Sequence, residues 1–164
     1  MFRNSLKGAR DMYCVESSDS GKTWGEAWKL GTGTWELPAC PMDGGGLAYL
    51  TDGTLFAAWR RKNQVYESRG QSEERSQGEG TQPWVGGVPG GKCWTAWEDS
   101  EGGVATRCQA DSVSVAFKIG AKCSDPVVDG SASGTVFCAW EVVHKDGTPP
   151  AVYGAFLARP VAPK

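Results

Sequence analysis

Four charged residues occupy one place in a recurring pattern. Arg3, Arg60, Glu98 and Glu141 each follow directly on an aromatic side chain, namely Phe2, Trp59, Trp97 and Trp140. Arg10 and Asp11 follow the first of these, Asp43 precedes the second, and Arg61 adjoins it. These are the side chains whose types can do chemistry. A guanidinium binds a carboxylate through paired, charge-assisted hydrogen bonds, and a carboxyl group can exchange a proton. A cleft that gathers arginines and carboxylates suits an anionic sugar. Solvated loop charge, or ion pairing between neighbouring sheets, is the plainer reading of Arg60, Arg61, Glu98 and Glu141.

Other chemistries lack their residues. None of the six cysteines forms a C-x-x-C pair, and the single His144 has no neighbouring thiol. No structural zinc or other metal site is therefore expected, and no cofactor. There is no P-loop, dinucleotide fingerprint or G-x-S-x-G elbow. Gly44-Gly45-Gly46 and Gly86-Gly87 lead into strands or turns rather than helices, so they do not read as phosphate cradles. A net charge of −2 offers no electrostatic case for nucleic acid. No apolar run reaches the roughly 18–20 residues of a membrane helix, so no membrane partner is expected. No signal-peptide h-region follows Met1, and the compartment stays open.

The elements that must position the charges are strands. Gly and Pro supply 23 and 9 of 164 residues, about a fifth, against a usual share of roughly 12%. An eight-residue frame, G-x-x-aromatic-x-A-W-charged, occurs at 53–60, 91–98 and 134–141. Its period near 40 residues, with several short strands per unit, is that of a β-propeller blade. Each unit reads as a Pro-marked lead-in (Pro41, Pro83, Pro126), a strand A (46–50, 84–88, 127–128), the frame as strand B, and a strand C (64–68, 103–107, 151–156). Strand B is apolar on both faces, so its sheet is expected to lie between two others. A β-sandwich is the alternative.

Phe2-Arg3 stands where a strand B would end, residues 12–17 read as its strand C, and no strand D follows Arg159. The expected fold is all-β: a single-domain partial β-propeller of antiparallel four-stranded blades, about three to four of them. Its blade parts lie near 1–37, 38–80, 81–122 and 123–164, with the terminal ones incomplete. Closure would need missing blades or self-association. Cys93 and Cys138 fall at interior strand positions and are expected as buried free thiols.

Between the first strand C and the next strand stands Ser17-Ser18-Asp19-Ser20-Gly21-Lys22-Thr23-Trp24, which reads S-x-D-x-G-x-T-W. It resembles the Asp-box, or bacterial neuraminidase repeat, of the sialidase-like β-propeller family. The stretch from Arg3 to Arg10-Asp11-Met12, followed by this box and by Cys40-Pro41-Met42-Asp43-Gly44-Gly45-Gly46, is similar to bacterial members described as exo-α-sialidases. The resemblance implies hydrolysis or binding of terminal acidic sugars, with an acidic glycan as partner and no cofactor. Arg3 would stand for the first substrate arginine, and Asp43 or Asp11 for the acid. Arg10, Arg60, Arg61, Glu98 and Glu141 are the other substrate-binding candidates. In that family the Asp-box lies on the face opposite the catalytic site, which makes Ser17, Asp19, Gly21, Thr23 and Trp24 a fold staple, with Trp24 packed on its blade.

With the C-to-D turns at one end, strand B runs to the other. The charges that follow the frame then share that second end with the lead-ins carrying Asp43, Gln82, Trp84 and Asp125. The sequence departs from the family in lacking an Arg-Ile-Pro segment, where Phe2-Arg3-Asn4-Ser5 stands. None of Tyr13, Tyr49, Tyr66 and Tyr153 is marked as a nucleophile. A non-catalytic propeller module that binds a glycan or a protein, and an inactive truncated fragment, remain beside the hydrolase reading.

Overall fold

The structure is a computed structural model describing residues 1–71, 73–88, 90–108, 114–118 and 122–158. It is all-β, and every paired strand is antiparallel. The first sheet is a meander of β1 (Phe2–Arg3), β2 (Met12–Cys14) and β3 (Trp28–Lys29), with a 3-10 turn at Leu6–Gly8. The second has seven strands in sequence order: β4 (Gly46–Tyr49), β5 (Leu55–Arg61), β6 (Gln64–Arg69), β7 (Arg75–Val88), β8 (Lys92–Asp99), β9 (Val104–Cys108) and β10 (Ser114–Phe117). The third is a meander of β11 (Lys122–Gly130), β12 (Val136–Val143) and β13 (Ala151–Ala158). The segment after Ala158, on which the expectation about a strand D falls, lies outside the described residues. Among the described residues no helix is long and apolar enough to cross a membrane.

Packing follows the two-residue period of the strands. On β5, Leu55, Ala57 and Trp59 face the first sheet and pack with Met12, Cys14 and Leu30. Phe56 and Ala58 face the other way and pack with Leu50, Val85 and Cys93. On β8, Cys93 joins that cluster, while Trp94 and Ala96 pack with Val136, Cys138, Trp140 and Val142 of β12. Among the described residues nothing covers the next face of β12: Phe137 is 42% exposed and Val143 39%. Trp59, Trp97 and Trp140 are all buried, opposite Tyr66, Ala105 and Tyr153 on the following strands.

The strand β7 differs from the sequence expectation. Two strands in separate blades are expected around residue 81; one 14-residue strand is found. Its first half pairs with β6 and its second with β8. The sequence marks the junction with Gln82-Pro83, and the chain absorbs that pair as a bulge: the register steps from Thr81↔Glu98 to Trp84↔Ala96. Proline has no N–H to give a ladder, so it sits in the step rather than breaking the strand. Asp125-Pro126 makes the same step in β11, between Ser124 and Val127. Gln82 and Asp125 take left-handed φ values of 51° and 50°, and Met42, in the lead-in to β4, one of 59°. Such a conformation costs a non-glycine residue about 1–3 kcal/mol, held in place by the surrounding ladders.

Glycine lets the lead strands approach one another. A Cβ on Gly46 would stand 2.6 Å from the Val85 backbone nitrogen. One on Gly86 would run into the Val128 carbonyl and lie 2.7 Å from the Asp129 Cα. Through these contacts β4, the second half of β7, and β11 lie side by side. Their lead-ins converge at one end of the stack.

Candidate functional site

Arg3 ends β1, Arg60 lies near the end of β5, and Asp43 lies in the lead-in to β4. The sheets bring all three together. Arg60 Nε lies 3.0 Å from Asp43 Oδ2, and Arg3 Nη2 lies 3.7 Å from Asp43 Oδ1. Both guanidiniums lie over the ring of Trp35, at 5.4 Å for Arg3 and 5.1 Å for Arg60. Arg3 also donates to the carbonyl oxygens of Arg10 at 2.6 Å and Arg60 at 3.0 Å. The Asp43 side chain is only 2% exposed. Burial holds the Arg3 pKa below its ordinary value; Asp43 opposes that shift and Arg60 adds to it. Two cations share one carboxylate, so this trio carries an excess positive charge on an aromatic floor.

The neighbours of this trio hold it in place. Asp11 Oδ1 accepts the Trp35 backbone N–H at 2.9 Å, and its Oδ2 pairs with Lys29 Nζ at 2.8 Å. Burial works against the Asp11 charge, but the Lys29 ammonium and the Trp35 N–H outweigh it and keep the pKa below the usual carboxylate range. Asp11 therefore anchors the floor. Arg10 braces the next stretch, its Nε donating to the carbonyls of Ala39 at 2.8 Å and Leu37 at 3.3 Å.

Three candidates lie apart from the pair. Arg61 points to the opposite side of β5 and holds Glu74 through two hydrogen bonds of 2.7 Å, with its guanidinium 3.9 Å over Tyr66. Glu98 accepts from the Thr81 hydroxyl at 3.2 Å and from the Asp125 backbone N–H at 3.0 Å, so it ties the bulge of β11 to β8. Glu141 occupies the equivalent place on β12 and has no such partner among the described residues. Trp35 and Glu74 belong to these constellations and were not singled out in the sequence. The only local signal for Trp35 is an aromatic residue in the turn-rich stretch Gly31-Thr32-Gly33-Thr34.

The turn over residues 17–23 closes on its own side chains. Asp19 accepts from the Thr23 hydroxyl at 2.7 Å, the Thr23 N–H at 2.8 Å and the Ser17 hydroxyl at 2.8 Å, while Gly21 N–H donates to Ser17 Oγ at 2.8 Å. These bonds pull the Asp19 pKa down to about 2. β2 starts beside the arginine pair and runs toward this turn, which places the two at opposite ends of that strand. Trp24 corrects the sequence expectation. It is 61% exposed, beside Gly21, rather than packed on a sheet. The hydrogen bonds of the turn are made by Ser17, Asp19, Gly21 and Thr23 without it.

At the end that carries Asp43 a cleft of about 210 Å³ opens between the lead-ins. It is lined by Gly44 and Gly45 before β4, by Gln82 and Trp84 of β7, and by Asp125 and Val127 of β11. Among the described residues no group of His, Cys, Asp and Glu is placed to hold a metal ion. No protein-family model matches the chain, and comparison with curated proteins finds no match.

Proposed function

We propose that this chain is part of a sialidase-like Asp-box propeller and binds a terminal acidic sugar at the end carrying Arg3 and Arg60. The observation that carries the reading is the guanidinium pair over Trp35 with a single carboxylate, Asp43, between them. An incoming carboxylate would balance the remaining charge and meet a planar donor fork. The four-stranded meanders β4 to β7 and β7 to β10 read as blades that share the long strand, and the two three-stranded sheets as incomplete ones. The glycine-lined approach of the lead strands fits the inner edge of such a ring. Closing the ring requires further blades, or a second copy, against the uncovered face of β12.

The surroundings of the two acid candidates favour binding over hydrolysis. Asp43 is buried between two arginines, and Asp11 is committed to Lys29 and the Trp35 N–H. Neither is placed to hand a proton to a leaving group. Calorimetric titration of the 164-residue chain with N-acetylneuraminic acid tests the proposal. A charge-assisted hydrogen bond is worth about 1.5–3 kcal/mol, so Arg60→Ala is expected to weaken binding by roughly tenfold to a hundredfold. A fluorogenic sialoside is expected to bind without turnover. Absence of sugar binding, or full affinity in Arg60→Ala, overturns the assignment.

A further inference from the structure

The sheets cover one another by a repeated rule, and the last face in the series has no cover among the described residues. The aromatic and the alanine of each frame point toward the following sheet. In β5 these are Phe56 and Ala58, which pack with Val85 and Cys93. In β8 they are Trp94 and Ala96, which pack with Val136 and Cys138. None of the four is more than 5% exposed. In β12 they are Phe137 and Ala139, and Phe137 is 42% exposed. The register sets Val127 of β11 opposite Ala139 and Phe156 of β13 opposite Phe137, with the two phenylalanine rings 5.1 Å apart. Val152, opposite Glu141, extends this row and is 80% exposed. A contiguous exposed apolar row of this kind marks an interaction surface.

The first sheet presents the opposite kind of face. Phe2 stands where the frame has its tryptophan, and it lies opposite Tyr13 as Trp59 lies opposite Tyr66. The two pairs stack alike, with ring centroids 6.0 Å and 6.3 Å apart. Trp59 packs with Met12, Cys14 and Leu30 of the preceding sheet and is 2% exposed, whereas Phe2 is 43% exposed. One copy thus carries a face built for a following sheet and a face built for a preceding one. Charge decides how two copies meet. The third sheet's open face carries Glu141, opposite Val152, and Asp129, opposite Phe137. Setting two such faces together would oppose four carboxylates, which is costly. The first sheet's face carries Lys29, opposite Tyr13, beside the Asp11 carboxylate at 2.8 Å.

We infer that the third sheet of one copy docks on the first sheet of a second copy, head to tail, and that two copies close a ring through two such contacts. A head-to-tail contact forms a ring where its rotation closes and an open chain where it does not. The contact rests on the packing of the sheets. Closure at two copies rests on the blade reading, because four blade parts per chain then make about eight, within the range of propellers. Neither depends on the acidic sugar.

Sedimentation equilibrium of the 164-residue chain tests this. Wild type is expected at twice its 17.5 kDa. Val152→Glu on the third sheet and Phe2→Glu on the first are each expected to weaken association about a hundredfold or more, by adding a charge to a face that becomes buried. Phe2→Thr, an uncharged strand former, is the second variant on that face and is expected to weaken it less. Each single variant loses both contacts of the ring. An equimolar mixture of Val152→Glu and Phe2→Glu keeps one intact pair of faces, so it is expected to recover a dimer, weaker than wild type. That recovery also shows that both variants are folded. A monomeric wild type, or a dimer lost in Val152→Glu but unchanged in both Phe2 variants, overturns the head-to-tail contact. A mixture that stays monomeric while both variants keep the wild-type near-ultraviolet circular dichroism also overturns it. Species that grow beyond two copies overturn the two-copy ring and the blade reading beneath it. A monomer that still binds N-acetylneuraminic acid overturns this inference and leaves the sugar reading standing.

Discussion

Arg61 and Glu74 meet in a two-pronged ion pair, both hydrogen bonds 2.7 Å long and each side chain 14% exposed. Arg60, one residue earlier, crosses to the other side of β5 and lies against Asp43. The alternation of a strand thus sends two adjacent arginines to different tasks. Glu74 also packs against Gly31, and Arg61 against Gly33, so the pair clamps the 31–33 loop of the first sheet onto the second.

Breaking that clamp is expected to cost stability and nothing in ligand affinity. Both side chains are only partly buried, so removing one partner leaves the other charge partly compensated by water, a loss of about 1–3 kcal/mol. Denaturant unfolding of Arg61→Ala should show a loss of that size. Its affinity for an acidic sugar, measured on the folded protein, should equal that of wild type. A variant that stays stable but loses affinity would move Arg61 into the binding site.

Asp19 sets an acid-sensitive element of stability. Its pKa is about 2 in the folded protein against an ordinary aspartate value of 3.8, because the Thr23 hydroxyl, the Thr23 N–H and the Ser17 hydroxyl bond the charged form. A depressed carboxylate pKa stabilises the fold above the unfolded value, and that contribution is lost as the pH falls through the folded value. Thermal melts of wild type and Asp19→Asn should differ most near about pH 6 and converge toward about pH 2. A gap that is constant with pH would mean that the aspartate charge is not what the turn uses.

Thiol chemistry should single out one cysteine. All six are free; Cys40 is exposed and the other five are buried. Burial pushes Cys93 and Cys138 to about 12, far from reactive thiolate. Titration with a chromogenic disulfide at about pH 8 should find one fast thiol in the native chain and six after denaturation without reductant. A count near zero after denaturation would reveal disulfides instead.

The approach of the lead strands predicts a contrast between two glycines. Gly86→Ala forces a Cβ into the Val128 carbonyl, and such overpacking costs about 1–3 kcal/mol. Gly44→Ala enters open space and should leave the melting temperature nearly unchanged. Equal melting temperatures for the two variants would show that β7 and β11 are not packed as closely as described.

Strand positions were legible because their signals are local. The frame with Trp59, Trp97 and Trp140, the Asp-Gly and Gly turns, and the two-sided apolar pattern each act within a few residues. Placing Arg3, Arg60 and Asp43 at one end was legible for the same reason, since strand direction follows from the order of turns. Trp35 was not, because its role depends on Asp11, 24 residues away, accepting its backbone N–H. Glu74 was hidden in a loop of like charges, and only the fold brings it to Arg61.

The sequence by itself determined the β class, the alternation of antiparallel strands, the closed hydrogen-bonding of the turn over residues 17–23 and the burial of the frame tryptophans. All of these rest on the two-residue period and on side chains that bond their own neighbours. Tertiary structure alone decided which charges are partners. It put Arg60 and Arg3 over Trp35, gave Arg61 to Glu74, tied Glu98 to the Asp125 bulge and ran β7 through Gln82-Pro83 as one strand. An ion pair or a stacked guanidinium depends on a few ångströms between residues far apart in the chain, and that separation is fixed by how sheets pack.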